Sequence, residues 1–123
     1  WSDYHRVVAV EDVIIGFLLV MSEASDYDGD NFRWFVERYS RFLYVDRIVI
    51  DRTFARRGAG SALYADLIKF AATQSWSTLC CEINVSPPNP VSHVFHARFG
   101  FKEVGRNAEA GSPKIVSYQV TEV

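Results

Sequence analysis

Two arginines and two glycines stand together after an apolar run: Ile48-Val49-Ile50 leads through Asp51-Arg52-Thr53 to Arg56-Arg57-Gly58-Ala59-Gly60-Ser61. A periodic apolar pattern begins directly afterwards, so a helix starts at the glycines. The first N–H groups of a helix have no partners within it and sit at the positive end of its dipole. Gly58 and Gly60 carry no Cβ, so an anion can come close to the backbone. Arg56 and Arg57 add guanidinium charge suited to phosphate, and Ser61 can donate one more hydrogen bond. This segment therefore offers a site for a bulky anion. The alternative is a helix start that needs glycine only for packing, beside two solvated arginines.

The type of anion can be narrowed. A P-loop requires Lys-Ser/Thr after its second glycine, but Ser61-Ala62 follows Gly60. The dinucleotide fingerprint requires a third glycine where this chain has Leu63. The remaining pattern, Arg-Arg-Gly-x-Gly after an apolar strand, resembles the acetyl-CoA turn of the GCN5-related N-acetyltransferases. A second segment, Asn89 to Phe101, resembles a later segment of the same family, with Asn89, Ser92, Gly100 and Phe101 at the family's spacing. The stretch Asp26–Phe35, together with Pro87-Pro88-Asn89-Pro90, is similar to a subgroup of bacterial predicted acetyltransferases.

The resemblance implies a central mixed β-sheet flanked by helices, an α/β (α+β) fold. It implies acetyl-CoA as co-substrate, an amine or peptide acceptor, direct transfer in a ternary complex, and a homodimer. It also implies that two strands, Phe42–Ile50 and Leu79–Val85, splay apart to admit the pantetheine arm. The backbone of Ile48, Val49 and Ile50 would contact that arm. Arg56, Arg57, Gly58, Ala59, Gly60 and Ser61 would hold the pyrophosphate, while Asn89, Ser92 and Phe95 would form a second wall. The chain departs from the family at Ala55, where Gln or Arg is usual, and at His96, where a tyrosine often acts as general acid. The family's first strand and following helices are missing. The chain also opens at Trp1 without an initiator methionine, so it is either a fragment or another segment fills the gap.

Acetyl transfer needs a neutral amine, a polarised thioester carbonyl and a proton for the leaving thiolate. His96 could supply the proton, because imidazole titrates near neutrality. Its other reading is a half-exposed helix residue. Glu23 and Asp46 are the candidate bases. Asp46 interrupts an apolar strand, where a carboxylate needs a partner or a function. Alternation along a strand sends Arg47 to the opposite face, so it is not an automatic partner, and the alternative to a catalytic Asp46 is an ion pair with another strand's arginine. Glu23 is otherwise a solvated loop charge. Tyr27, Trp34 and Phe35 could line an acceptor pocket or belong to the core. His5 and His93 have no motif around them. Cys80 and Cys81 are adjacent on an apolar strand and read as packing residues.

These groups need a scaffold, and the hydrophobic pattern supplies it. Strands are expected at Tyr4–Val10, Val13–Met21, Phe42–Ile50, Leu79–Val85, Phe101–Gly105 and Lys114–Val120. A short helix capped by Asn31 begins near Phe32, and a second short helix spans Val91–Phe99. The main helix, Gly58–Gln74, carries one stripe through Leu63, Leu67, Phe70 and Ala71, widened by Tyr64 and Ile68. The order β-β-α-β-α-β-α-β-β implies parallel pairing in the middle and hairpins at the ends.

Bulk properties fit a single domain over residues 1–123. Apolar residues make up 49% of the chain, enough for a core. The net charge of −2 gives no global attraction to nucleic acid or an anionic membrane. There is no Cys/His metal spacing, so no metal is expected. The longest apolar stretch is too short to cross a bilayer, no signal peptide is present, and a cytoplasmic setting fits two unbridged cysteines. Two rival functions remain beside the enzyme: a non-catalytic acyl-CoA-binding module on the same fold, and an interaction domain with no small ligand.

Overall fold

The computed structural model describes residues 4–10, 13–25, 29–51, 58–86, 88–108 and 114–123, with only the backbone described at 4–10, 13–15 and 108. Nine elements follow the expected order. They are β1 (Tyr4–Val10), β2 (Val13–Ser22), α1 (Asp30–Val36), β3 (Leu43–Ile50), α2 (Ala59–Thr73), β4 (Thr78–Ser86), α3 (Pro90–Arg98), β5 (Lys102–Ala108) and β6 (Ile115–Glu122). The strands form one six-stranded sheet in the order β1-β2-β3-β4-β6-β5. β3 and β4 pair in parallel, and every other neighbouring pair is antiparallel. A helical crossover must join parallel strands, and α2 provides it.

Alternation along the strands feeds two cores. Leu18, Val20, Leu43, Val45, Leu79, Cys81 and Ile83 face α2, where Leu63, Tyr64, Leu67 and Ala71 form the predicted stripe. Met21, Phe42, Tyr44, Cys80, Val116, Tyr118 and Val120 face the other way, against Phe32 and Phe35 of α1. Trp34 packs on this second core, stacked on Tyr118 with ring centroids 4.2 Å apart. Trp34 and Phe35 therefore belong to the core, and Tyr27 lies outside the described residues. Cys80 and Cys81 are buried on opposite faces, and burial pushes both thiols well above their ordinary range.

Three local expectations are corrected. Gly29, not Asn31, occupies the N-cap of α1, because Asn31 lies inside the helix and accepts the Tyr118 hydroxyl at 2.9 Å. β5 runs on to Ala108 because its backbone continues to pair with β6 through Ile115. Asp46 pairs with its own neighbour, Arg47, at 3.3 Å. The register between β2 and β3 slips there: Leu19 faces Arg47 and Val20 faces Val45, which leaves Asp46 as the extra residue of a β-bulge. Before the bulge, Leu43 and Val45 face α2; after it, Ile48 and Ile50 do. Strict alternation fails across that step, so the argument that separated Asp46 from Arg47 does not hold.

Candidate functional site

The ladder between β3 and β4 has only two rungs, Leu43↔Leu79 and Tyr44↔Cys80. Beyond them the strands diverge, and the bulge at Asp46 bends β3 at the start of the divergence. A cleft of about 360 Å³ opens between the strands. Asp46 and Ile48 line it from β3, Glu82 and Asn84 from β4, and Ser92 and His96 from α3. Asn89 also reaches this cleft. Two strands that stop pairing inside a sheet face each other with N–H and C=O groups that no longer bond across the gap, and those groups need a partner.

The two glycines of the turn differ in role. Gly58 caps α2 in the left-handed conformation, with φ at 81°, and a Cβ built there meets nothing within 4 Å. A Cβ on Gly60 would come within 3.2 Å of the Phe95 ring. Gly60 and Phe95 thus fit α2 against α3, which is the packing alternative. Among the described residues no side chain caps the first turn of α2, which contains no acidic residue. Ala59 is buried there and Ser61 exposed. Arg56, Arg57 and Ala55 lie outside the described residues.

The side chains of Ile48 and Ile50 pack towards α2, and Val49 is exposed on the other face. Asn89 caps α3, accepting the Ser92 N–H at 3.3 Å. His96 is buried rather than half-exposed. Its Nδ1–H donates to the Ser92 carbonyl at 2.8 Å, and its Nε2 accepts the hydroxyl of the fully buried Tyr64 at 2.7 Å. A carbonyl can only accept, so this pair of bonds fixes the neutral tautomer with hydrogen on Nδ1. Burial lowers the pKa of His96, only partly opposed by its bond to Ser92. Glu23 lies apart from the cleft. Its Oε1 accepts the Phe42 N–H and the Trp76 indole N–H, both at 3.0 Å, just before the first rung of the β3–β4 ladder.

One group had escaped sequence reasoning. Glu82 follows the buried Cys80-Cys81 on β4, and its Oε2 accepts the Tyr44 hydroxyl at 2.6 Å. Asn31 also hydrogen-bonds it. Burial nevertheless pushes the carboxyl up to about 7, aided by the negative charge of Asp46 and opposed by the Tyr44 and Asn31 bonds. Glu82 lines the cleft and also a second cavity of about 260 Å³ on the α1 face, with Asp30, Asn31, Tyr44, Asn107 and Lys114. The signal was present in the sequence: the rule that singled out Asp46, a carboxylate within an apolar strand, applies equally to Glu82.

The sheet is mixed, and its central parallel strands part beside a glycine-led helix. The model of the acetyltransferase (GNAT) family matches residues 1–101, and the chain belongs to that family. No curated protein matches its sequence. Among solved structures it is similar to a candidate streptothricin acetyltransferase from Bacillus anthracis str. Ames in complex with acetyl coenzyme A. That match has a TM-score of 0.77 and 16% identity, covering 100% of this chain and 64% of the other. It is also similar to the ribosomal-protein-S18-alanine N-acetyltransferase from Escherichia coli, with TM-score 0.71, 15% identity, and coverage of 97% and 68%. A GNAT-family acetyltransferase from Streptococcus pneumoniae gives TM-score 0.73, 15% identity, and coverage of 97% and 65%. At these identities the likeness is one of fold. The chain spans about two thirds of each relative's length. Among the described residues, no helix is long and apolar enough to cross a membrane, and no group of three or more His, Cys, Asp or Glu could hold a metal.

Proposed function

We propose that this chain binds acetyl-CoA in the wedge between β3 and β4 and transfers its acetyl group to an amine. The observation that carries this reading is the two-rung ladder. Past Tyr44 and Cys80, each strand turns towards the other a backbone edge able to bond the amides of a pantetheine arm. The backbone of Ile48–Ile50 takes that arm. The start of α2, with Gly58, Ala59, Gly60, Ser61 and the preceding Arg56 and Arg57, takes the pyrophosphate. Asn89, Ser92 and Phe95 at the head of α3 complete the wall. Two unbridged cysteines suit a cytoplasmic enzyme, acting alone or as a homodimer.

Calorimetry with acetyl-CoA tests the binding. Saturable binding that weakens at least tenfold in Gly58→Val supports it. Absence of binding to the wild-type chain overturns it.

A second reading keeps the binding and drops the chemistry. It is favoured by His96, which stands where the family often has a proton-donating tyrosine but has both ring nitrogens engaged by Ser92 and Tyr64. Coenzyme A release with an amine panel separates the two readings: binding without turnover selects the non-catalytic module.

A further inference from the structure

We propose that Glu82 takes the proton from the attacking amine, and that the acceptor is a small, polar, cationic amine lodged in the cavity between α1, β4 and β6. This rests on the acetyl-transfer reading above. Glu82 lines both the cleft between β3 and β4 and the α1-side cavity. A carboxylate shared by two chambers is placed to act on a group that bridges them. Tyr44 and Asn31 hold it from two elements, β3 and α1. Asn31 is oriented in turn by the Tyr118 hydroxyl, which its Oδ1 accepts, leaving its amide N–H groups for Glu82. Charged and titratable groups share the surroundings of Glu82 from several elements: Asp30 from α1, Tyr44 and Asp46 from β3, His96 from α3, Tyr118 from β6, and Lys114 just before β6.

The cavity's chemistry specifies the acceptor. Among the described residues on its wall, only Val116 and the ring of Tyr44 are apolar, so an aliphatic or aromatic acceptor gains little there. Asp30 and Glu82 suit an ammonium group, while Asn107 and Lys114 suit polar or anionic atoms of the same acceptor. A volume of about 260 Å³ equals that of roughly nine waters in the liquid, room for an acceptor of about that many heavy atoms.

The step balances. The ammonium loses one proton to the Glu82 carboxylate, and its lone pair forms a C–N bond at the thioester carbonyl carbon. The C–S bond breaks and the thiolate leaves. The second proton of the nitrogen passes to that thiolate, giving coenzyme A, and Glu82 returns its proton to solvent. A carboxyl titrating near 7 is half ionised at neutrality, where a general base works best.

Glu82→Gln and Tyr44→Phe test the assignment, with ethanolamine, putrescine and glycinamide as acceptor probes and a lysine-containing peptide as the large one. The expected result is coenzyme A release with at least one small amine, reduced 100-fold or more by Glu82→Gln while acetyl-CoA affinity stays within threefold. Tyr44→Phe should shift the ascending limb of the pH profile upwards, because a hydrogen bond that favours the carboxylate is lost. Without any coenzyme, carbon-detected NMR titration of the wild-type chain should find a glutamate carboxyl near pH 7 that is missing from Glu82→Gln. Turnover within threefold of wild type in Glu82→Gln overturns the base. Turnover of the peptide alone overturns the acceptor class. Failure of acetyl-CoA to bind sinks the coenzyme reading, and binding without turnover of any probe sinks the transfer reading instead, so the failures are distinct.

Discussion

His96 and Glu82 sit on the two sides of the same cleft, and the fold has treated them in opposite ways. His96 lines the cleft from α3, but Ser92 and Tyr64 engage both of its ring nitrogens. Glu82 is partly buried and opens onto two chambers, and burial holds its carboxyl near 7 against the hydrogen bonding that favours its ionised form. A group that is fully satisfied stabilises a core; a group that is oriented yet open to a cavity can exchange a proton. Position within a motif singles out His96, whereas opening onto both cavities singles out Glu82.

The pair also tilts stability in opposite directions with pH. Glu82 ionises near 4.5 when unfolded and near 7 when folded. Between those values the folded chain binds the proton more tightly, so stability is greatest below about 4.5 and declines as pH rises to 7. The decline is at most about 3 kcal/mol. His96, held neutral by burial, works the other way: stability is lost as pH falls below its unfolded value of 6.5.

The largest expected effects come from breaking either side of this contrast. Glu82→Gln should be more stable than wild type at pH 8, by up to about 3 kcal/mol, and close to it at pH 4.5. Urea melts at the two pH values check this, and a gain of equal size at both would mean that Glu82 is not the titrating group. His96→Ala strands the buried Tyr64 hydroxyl and opens a void, costing about 3 kcal/mol at pH 7.5 in the same melts. A cost under 1 kcal/mol would show that the histidine is not the closed core group described. Glu23→Ala removes the acceptor for two N–H groups and should lower stability by about 2 kcal/mol while leaving kcat unchanged. If turnover collapsed in a stable Glu23→Ala protein, the base would move from Glu82 to Glu23. Gly58→Ala, forced to φ of 81°, should cost about 1 kcal/mol. Asp46→Asn is expected to change stability by less than about 1 kcal/mol, since its partner Arg47 is 62% exposed.

Much of this architecture was legible in the sequence. The order of elements, the stripe on α2 and the central parallel pair all follow from periodicity, because each depends on residues close together in the chain. The unread features depend on residues far apart. The packing of Phe95, 35 positions later, against Gly60 cannot be read from the turn itself. The bulge at Asp46 depends on the register of β2, which no local pattern records. Asn31 reads as a helix cap because its later partner, Tyr118, is not visible from the segment that contains it. Glu82 was passed over although its strand displayed it, because only the fold reveals the cavities on either side.

The two-rung ladder has a further consequence. The sheet is two three-stranded antiparallel halves, β1-β2-β3 and β4-β6-β5, stitched by Leu43↔Leu79 and Tyr44↔Cys80 and strapped by α2. A coenzyme lodged in the gap would serve as a seventh strand, supplying the rungs that the chain leaves out. Amide protons along the inner edges of β3 and β4 should then exchange quickly in the ligand-free protein and slowly in the complex, while those of the outer hairpins barely change. In such a protein the ligand is a structural member of the sheet, and its departure loosens the molecule along one seam.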